Sequence, residues 1–471
     1  MLNQFTLNDT ICALATPHGM GAIAVVRVSG PKAFPIVASL FQRQGKYLEI
    51  SNINPNKALH GYLINNDELL DEAVVTFFKA PHSFTGEDSA EISVHGSVYV
   101  QQKLLQVLIT QGCRMAEAGE FTRRAFVNRK FDLAQAEAIA DLISSESEAA
   151  HRVAINQLKG GFSKELQVMR SKLLEMTSLM ELELDFSEED VEFADRNRLK
   201  ALLEETLGKV NSLKDSFRLG NAIKNGVPVA IVGQTNTGKS TLLNALLGED
   251  RAIVSDIAGT TRDTIEETLN INGILYRFID TAGLRQTEET IEKIGIERSY
   301  RKINEATVVI GMLDATKSTE NVLIAAHEIL ERIDLEHQQF ILCINKVDTL
   351  DDQGEALLGE LRTDLDNDDI MAICLSAKRH FGLNDLYNAL KHSRPLASPD
   401  ATLVTNVRHY EALSHASKAL SKVKEGLEMN IHTDLVSQDL REALHYLGSI
   451  TGEITSDEVL GSIFSRFCIG K

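Results

Sequence analysis

Apolar residues in the first quarter of the chain fall in short runs, IAVVRVSG at 23–30, AVVTFF at 73–78 and AEISVHG at 90–96. Runs of this length predict strands, while the stretch 98–110 carries helical spacing. Their alternation predicts a compact α/β domain over residues 1–119. Within AEISVHG, Glu91 alternates away from Ala90, Ile92 and Val94, so it faces opposite the apolar side as a surface charge would.

From Asp132 to about Leu184 the pattern turns helical, interrupted by the pair Gly160-Gly161. Leu166, Met169, Leu173, Met176 and Met180 recur at three- and four-residue spacing and predict one buried helix face. Leu199, Leu203, Thr206, Val210, Leu213 and Phe217 predict the same on the next helix. The methionines in these stripes are read as packing residues. A strand, VPVAIVG, begins at Val227 and opens a β/α alternation that runs to about Lys391. Pro395 and Pro399 mark a linker, and helical stretches follow at 407–428, 434–449 and 456–467. Helices flanking the α/β region on both sides predict one helical domain in two parts, 120–220 and 392–471, with 221–391 inserted between them.

Composition narrows the class. At 471 residues the length prior suggests roughly three domains. A hydrophobic share of 43% with 24% charged residues describes a folded chain. No segment approaches the ~20 apolar residues that cross a bilayer. No Lys or Arg precedes Arg27, so a signal peptide is not expected and the cytoplasm is the expected location. Cys12, Cys113, Cys343, Cys374 and Cys468 are scattered and never form a CxxC pair, which predicts free thiols rather than a zinc site or disulfides. The net charge of −19 argues against sequence-blind nucleic-acid binding. One local exception is the cluster Arg123, Arg124, Arg129 and Lys130, which reads equally as an RNA-facing patch or a solvated face.

The chemistry is concentrated after Val227. Gly233-Gln-Thr-Asn236-Thr237-Gly238-Lys239-Ser240, followed by Thr241, is a complete GxxxxGK[ST] loop between a strand and a helix at 240–248. Its glycines let the backbone curl so that N–H groups face phosphate oxygens; Lys239 adds charge and the Ser240 hydroxyl can ligate Mg²⁺. Asp280-Thr281-Ala282-Gly283 closes the strand ILYRFID, placing a carboxylate to hold Mg²⁺ through water. Asn345-Lys346-Val347-Asp348 closes QFILCIN, and the Asp348 carboxylate can accept from guanine N1–H and the 2-amino group. Ser376-Ala377-Lys378 closes IMAICLSA and can give guanine O6 a backbone N–H. Four such elements in order, each at a strand's C-terminal end, predict a GTP site. Between the loop and Asp280, the segment Ser255-Asp256-Ile257-Ala258-Gly259-Thr260-Thr261 occupies the switch position, with Thr261 as the second Mg²⁺ ligand. Leu284 follows the DxxG glycine where many GTPases carry a water-orienting glutamine, so another group is needed. Glu288, Glu289, Glu292 and Glu297 all remain open on the residues alone.

DIAGTTRD, DTAGLR with IEKIGIERS, and the closing GSIFSRFCIGK together resemble the MnmE (TrmE) family of tRNA-modification GTPases. TICALATPHGMGAIAVVRVSG, APHSFTGEDSAEISVHG and EAGEFTRRAFVNRKFDLAQAEAIADLI extend the resemblance over essentially the whole chain. It implies an N-terminal folate-binding α/β domain that forms a homodimer, a helical bundle domain, and an inserted Ras-like P-loop G domain. It further implies work with the flavoprotein MnmG (GidA) to place an aminomethyl or carboxymethylaminomethyl group on C5 of the wobble uridine of certain tRNAs. A tetrahydrofolate derivative, 5,10-methylene or 5-formyl, would be the one-carbon donor. GTP hydrolysis in this family is activated by K⁺ when G domains meet. By motif, Asn236, Ser255, Ile257 and Thr260 would hold that ion, and Glu292 becomes the water-orienting residue beside Lys239 and Asp280. Thr235 and Thr237 flank Asn236 where the family usually has proline and a small residue. The resemblance assigns folate to Arg27, Glu91, Lys130 and Lys471, and leaves Cys468 as a conceivable tail thiol. The alternative to tRNA modification is a ribosome-assembly GTPase related through its G domain alone.

Overall fold

The computed structural model describes residues 9–185, 196–248, 267–271, 273–279, 303–336, 338–350, 353–365, 370–392, 402–429, 431–465, 467 and 469–470. They fall into two compact units, one of residues 1–140, 157–206 and 415–471, the other of 141–156 and 207–414.

The first unit opens with an eight-stranded sheet. Its strands are β1 (Ile11–Leu14), β2 (Ile23–Ser29), β3 (Phe41–Arg43), β4 (Lys46–Tyr47), β5 (Ala58–Asn65), β6 (Glu68–Phe78), β7 (Ser89–His95) and β8 (Arg114–Met115), in the order β4-β3-β5-β6-β7-β2-β1-β8. The β5–β6 hairpin turns through Asn66 and Asp67, both at positive φ (49° and 62°), the geometry that follows the sheet's twist and that Asn and Asp tolerate. Alternation gives the sheet one apolar face: Val26, Val28, Val75, Phe77, Ile92 and Val94 are buried beneath α1 (Ala33–Leu40) and α2 (Val98–Thr110). Each such side chain contributes about 1.5–3 kcal/mol of burial.

Helices α3 (Glu120–Val127) and α4 (Leu133–Ile143) follow. Helical pairing resumes at α5 (Glu148–Leu158) after a break that the apolar spacing does not predict. Serines cause it. Ser144 and Ser145 hydroxyls donate back to Asp141 O and Leu142 O, and Ser147 Oγ accepts from Ala150 N at 3.1 Å to cap the new helix. In α6 (Gly161–Asp185) the stripe Leu166, Met169, Leu173, Met176 and Met180 is buried, as its spacing predicts, and the helix packs on α14 (Thr433–Thr451). Leu199, Leu203, Thr206, Val210 and Leu213 are likewise buried on α7 (Arg196–Asp215). Phe217 departs from that stripe: the helix stops at Asp215, and Phe217 opens α8 (Phe217–Asn225), stacking on Tyr410 at 4.7 Å. The chain's last described helices are α13 (Val407–Glu428), α14 and α15 (Asp457–Phe464).

The second unit holds a six-stranded sheet, β10-β11-β9-β12-β13-β14. These strands are β9 (Val227–Gly233), β10 (Glu267–Ile271), β11 (Ile274–Phe278), β12 (Val308–Asp314), β13 (Gln339–Asn345) and β14 (Met371–Cys374). Only β10 pairs antiparallel; the other pairings are parallel. Helices α9 (Lys239–Leu247), α10 (Thr319–Leu330), α11 (Gln353–Leu365) and α12 (Leu383–His392) accompany it. The sheet is buried on both faces, which is why β12 and β13 read as continuous apolar runs. Two strands end earlier than expected. β11 stops at Phe278, and β14 stops at Cys374 because Ser376 N turns back to Phe381 O. No described helix is long and apolar enough to cross a membrane.

Candidate nucleotide site

The loop after β9 is shaped by two glycines at which any side chain would be strained. Gly233 has φ 151° and a Cβ there would stand 2.4 Å from Met312 O. Gly238 has φ 100°, and its Cβ would stand 2.2 Å from Asn345 Nδ2. Asn236, between them, is exposed at a left-handed φ of 62°. Thr237 is buried and its hydroxyl donates to Gln234 O at 2.9 Å, which pins the curl. Lys239 Nζ donates to Gly233 O (2.9 Å) and Gln234 O (2.7 Å), and burial lowers its pKa from the ordinary lysine value. Lys239, Ser240 and Thr241 form the first turn of α9, the end of a helix that attracts anions. Ser240 offers a hydroxyl oxygen there. Such a donor suits Mg²⁺, which takes oxygen ligands and is usually held by few protein groups together with phosphates.

Asn345 joins this loop to the other two motifs. Its Nδ2 donates to Thr237 O at 2.7 Å, and its Oδ1 accepts from Ala377 N at 3.0 Å. Parallel register brings the ends of β9, β12, β13 and β14 to one edge of the sheet, so residues far apart in sequence meet. Ser376 and Ala377 are buried, whereas Lys378 and Asp348 are exposed. Lys346 sits at a left-handed φ of 69°, and its Nζ is 2.7 Å from Asp314 Oδ2. Sequence reasoning missed Asp314; its only local signal was a carboxylate ending an apolar strand. Burial works to raise the Asp314 pKa, but hydrogen bonds from Lys346 and Thr316 outweigh it and hold the group below the usual carboxylate value. Ser255, Asp256, Ile257, Ala258, Gly259, Thr260, Thr261, Asp280, Thr281, Ala282, Gly283 and Glu292 lie outside the described residues.

A second constellation lies in the other unit. Arg27 and Glu91 are register partners across β2 and β7, and Arg27 Nη2 donates to Glu91 Oε1 at 2.9 Å. The guanidinium lies 4.8 Å from the Phe84 ring centroid and 5.6 Å from that of Phe121, within cation–π range. Glu91 is therefore paired rather than a lone surface charge. Lys130 Nζ donates to Pro81 O at 2.9 Å. The C-terminal tail is laid against the same domain. Ile469 bridges Ala118, and Gly470, at φ 99°, lies so close to Leu14 that a Cβ would meet Leu14 O at 2.1 Å. Leu14 neighbours Ala13, the β1 partner of Arg27, so the tail ends near that arginine's strand. Cys468 and Lys471 lie outside the described residues.

The cluster of Arg123, Arg124, Arg129 and Lys130 is not one basic patch. Arg124 is 2% exposed and is enclosed by Asp9, Glu87 and Glu120, with Arg114 bonded to Asp9 and Glu120 as well. One helical turn separates Glu120 from Arg124, which puts both on the inner face of α3 and takes the arginine out of solvent. Arg129 and Lys130 remain exposed, and Arg123 is half-buried.

Comparison with known proteins finds relatives along the whole chain. The TrmE N-terminus family, described as a GTP-binding protein, matches residues 10–130, and the MnmE helical domain matches 133–468. A Bacteroides fragilis protein named tRNA modification GTPase MnmE is 51% identical over 467 residues, covering 98% of this chain and 99% of that one. Proteins of the same name from Porphyromonas gingivalis and Flavobacterium johnsoniae are 50% and 49% identical, each over 100% of both chains. The chain belongs to the MnmE/TrmE family of tRNA modification GTPases.

Proposed function

We propose that this GTPase, as a homodimer working with the flavoprotein MnmG, drives modification of C5 of the wobble uridine of certain tRNAs, with a tetrahydrofolate derivative supplying the carbon. The observation that carries the nucleotide half is Asn345, whose one side chain ties the phosphate loop at Thr237 to the Ala377 turn. In this reading the N–H groups at Asn236–Thr241 and the Lys239 ammonium receive the phosphates. Asp348 reads guanine N1–H and the 2-amino group, and the Ser376–Lys378 turn supplies an N–H to O6. Mg²⁺ would be held by Ser240 and Thr261, with Asp280 acting through water; bound there, it would supply charge neutralisation to the phosphates. K⁺ would be held by Asn236 with Ser255, Ile257 and Thr260, and Glu292 would orient the attacking water. The domain limits 1–119, 120–220, 221–391 and 392–471 and a cytoplasmic location belong to the same proposal.

For folate, the pairing of Arg27 with Glu91 beneath two aromatic rings supports a site in which the carboxylate meets pterin N–H groups and cations meet the glutamate tail. Register also places Ile23, Tyr62 and Val74, all exposed, on the sheet face opposite the core, which supports pairing of two such domains. The test is mass spectrometry of tRNA nucleosides from cells lacking the gene, complemented by wild type or by Asp280→Ala. Loss of the C5-modified uridine, restored by wild type alone, supports the proposal. An unchanged profile overturns it and moves the ribosome-assembly alternative to first place.

A further inference from the structure

We infer that Asp314, a residue of no assigned role, is a positioning residue for guanine: it clamps Lys346 and thereby sets the turn that presents Asp348 to the base. The inference rests on the reading of Asp348 as the base-contacting carboxylate. Lys346 holds a left-handed φ of 69° although it carries a side chain, and such positions persist only where surroundings enforce them. The next three residues, Val347–Thr349, form a single 3-10 turn suspended from Lys346. Thr349 N donates to Lys346 O at 3.1 Å, and Thr349 Oγ1 donates to the same oxygen at 2.7 Å. The orientation of the Lys346 carbonyl therefore helps set the turn that carries the exposed Asp348, together with Val347 N, which donates to Leu375 O at 3.4 Å.

Both ends of Lys346 are anchored. On its N-terminal side stands Asn345, buried and bonded to Thr237 and Ala377. Its side-chain Nζ is held by Asp314 Oδ2 at 2.7 Å. The carboxylate is itself immobilised, since its other oxygen accepts from Thr316 N at 3.0 Å and Thr316 Oγ1 at 2.7 Å. Asp314 is also the register partner of Asn345 at the end of the β12–β13 ladder, and Ala315 N donates to Asn345 O at 2.9 Å. Asp314 thus links a rigid strand end to the turn, whose Val347 also packs against the core. The Asp314 side chain is 9% exposed and that of Lys346 33%.

The experiment measures binding of GDP and of inosine diphosphate, which lacks the 2-amino group, to the full-length wild type, Asp314→Ala and Asp314→Asn. Wild type is expected to prefer GDP. Asp314→Ala is expected to bind GDP about tenfold more weakly, as loss of a charge-assisted bond implies, and to lose most of the preference. Asp314→Asn, which keeps one acceptor oxygen for Lys346 or for Thr316 but not for both, is expected to recover part of both. Lys346→Met should reproduce the Asp314→Ala loss, and the double variant should lose no more than either single one. Asp314→Ala that binds and discriminates as wild type does overturns the inference. So does additive loss in the double variant. A wild type that binds both nucleotides equally overturns instead the reading of Asp348 on which it rests. Should Asp314→Ala not fold, Lys346→Met and Asp314→Asn decide the same question.

Discussion

Asn345 Nδ2 donates to Thr237 O at 2.7 Å, across 108 residues of sequence. The loop after β9 and the segment after β13 are thereby one hydrogen-bonded body rather than two independent loops. Because Asn345 Oδ1 also accepts from Ala377 N, a third segment is fixed by the same buried amide.

Replacing Asn345 by alanine leaves Thr237 O and Ala377 N without this partner inside the fold. Each such orphan costs about 1–3 kcal/mol. Asn345→Ala is therefore expected to lower the melting temperature of the second unit and to weaken GDP and GTP together, read by calorimetry and by fluorescent-nucleotide titration. Gly238→Ala should act on the same contact from the other side, because its Cβ would stand 2.2 Å from that Nδ2. The left-handed backbone adds about 1–3 kcal/mol of strain. Nucleotide binding by Gly238→Ala that matches wild type would contradict this account of the loop.

Arg124 supplies a stability prediction with a pH dependence. Removing one member of a buried ion network costs about 3–5 kcal/mol, so Arg124→Ala is expected to destabilise the first unit strongly. Burial raises the pKa of Asp9 and of Glu120, but hydrogen bonds from Arg114, Arg124 and, for Glu120, backbone N–H of Glu117 outweigh it and leave both groups below their ordinary values. A carboxylate depressed in the folded state contributes stability above its unfolded pKa and loses it as pH falls through the folded pKa. Wild type should therefore lose melting temperature through the acid carboxylate range, and Arg124→Ala should show a shallower acid slope. Parallel slopes in thermal melts at graded pH would remove the network from the account.

Hydrolysis in KCl is expected to run much faster than in NaCl at matched ionic strength, with Asn236→Ala abolishing the difference. Glu292→Ala is expected to bind GTP normally and lose most turnover. A phosphate-release assay in the two salts checks both, and equal rates for wild type would remove K⁺ from the proposal. An unchanged rate for Glu292→Ala would return the water-orienting role to Glu288, Glu289 or Glu297.

Local rules make much of this molecule legible in its amino-acid order alone. Apolar period two marks β2, β6 and β7, and three-four spacing marks the buried faces of α6 and α7, because each pattern follows from the geometry of its own element. Gly238 and Lys239 are legible for the same reason, since a phosphate-binding turn imposes its chemistry on eight adjacent residues. Long-range pairing is not legible. Nothing near Arg124 in sequence announces Asp9 or Glu87, and nothing near Lys346 announces Asp314, which lies 32 residues away. The serine break before α5 and the separate start at Phe217, where Ser216 Oγ donates to Leu213 O at 2.6 Å, depend on competition between side-chain and helical hydrogen bonds, which periodicity does not weigh. Sequence carries what a residue's immediate neighbours constrain. Which charges are withdrawn from water, and which loops share one amide, depended on how the strands and helices came together, because burial and Coulomb attraction act through space and not along the chain.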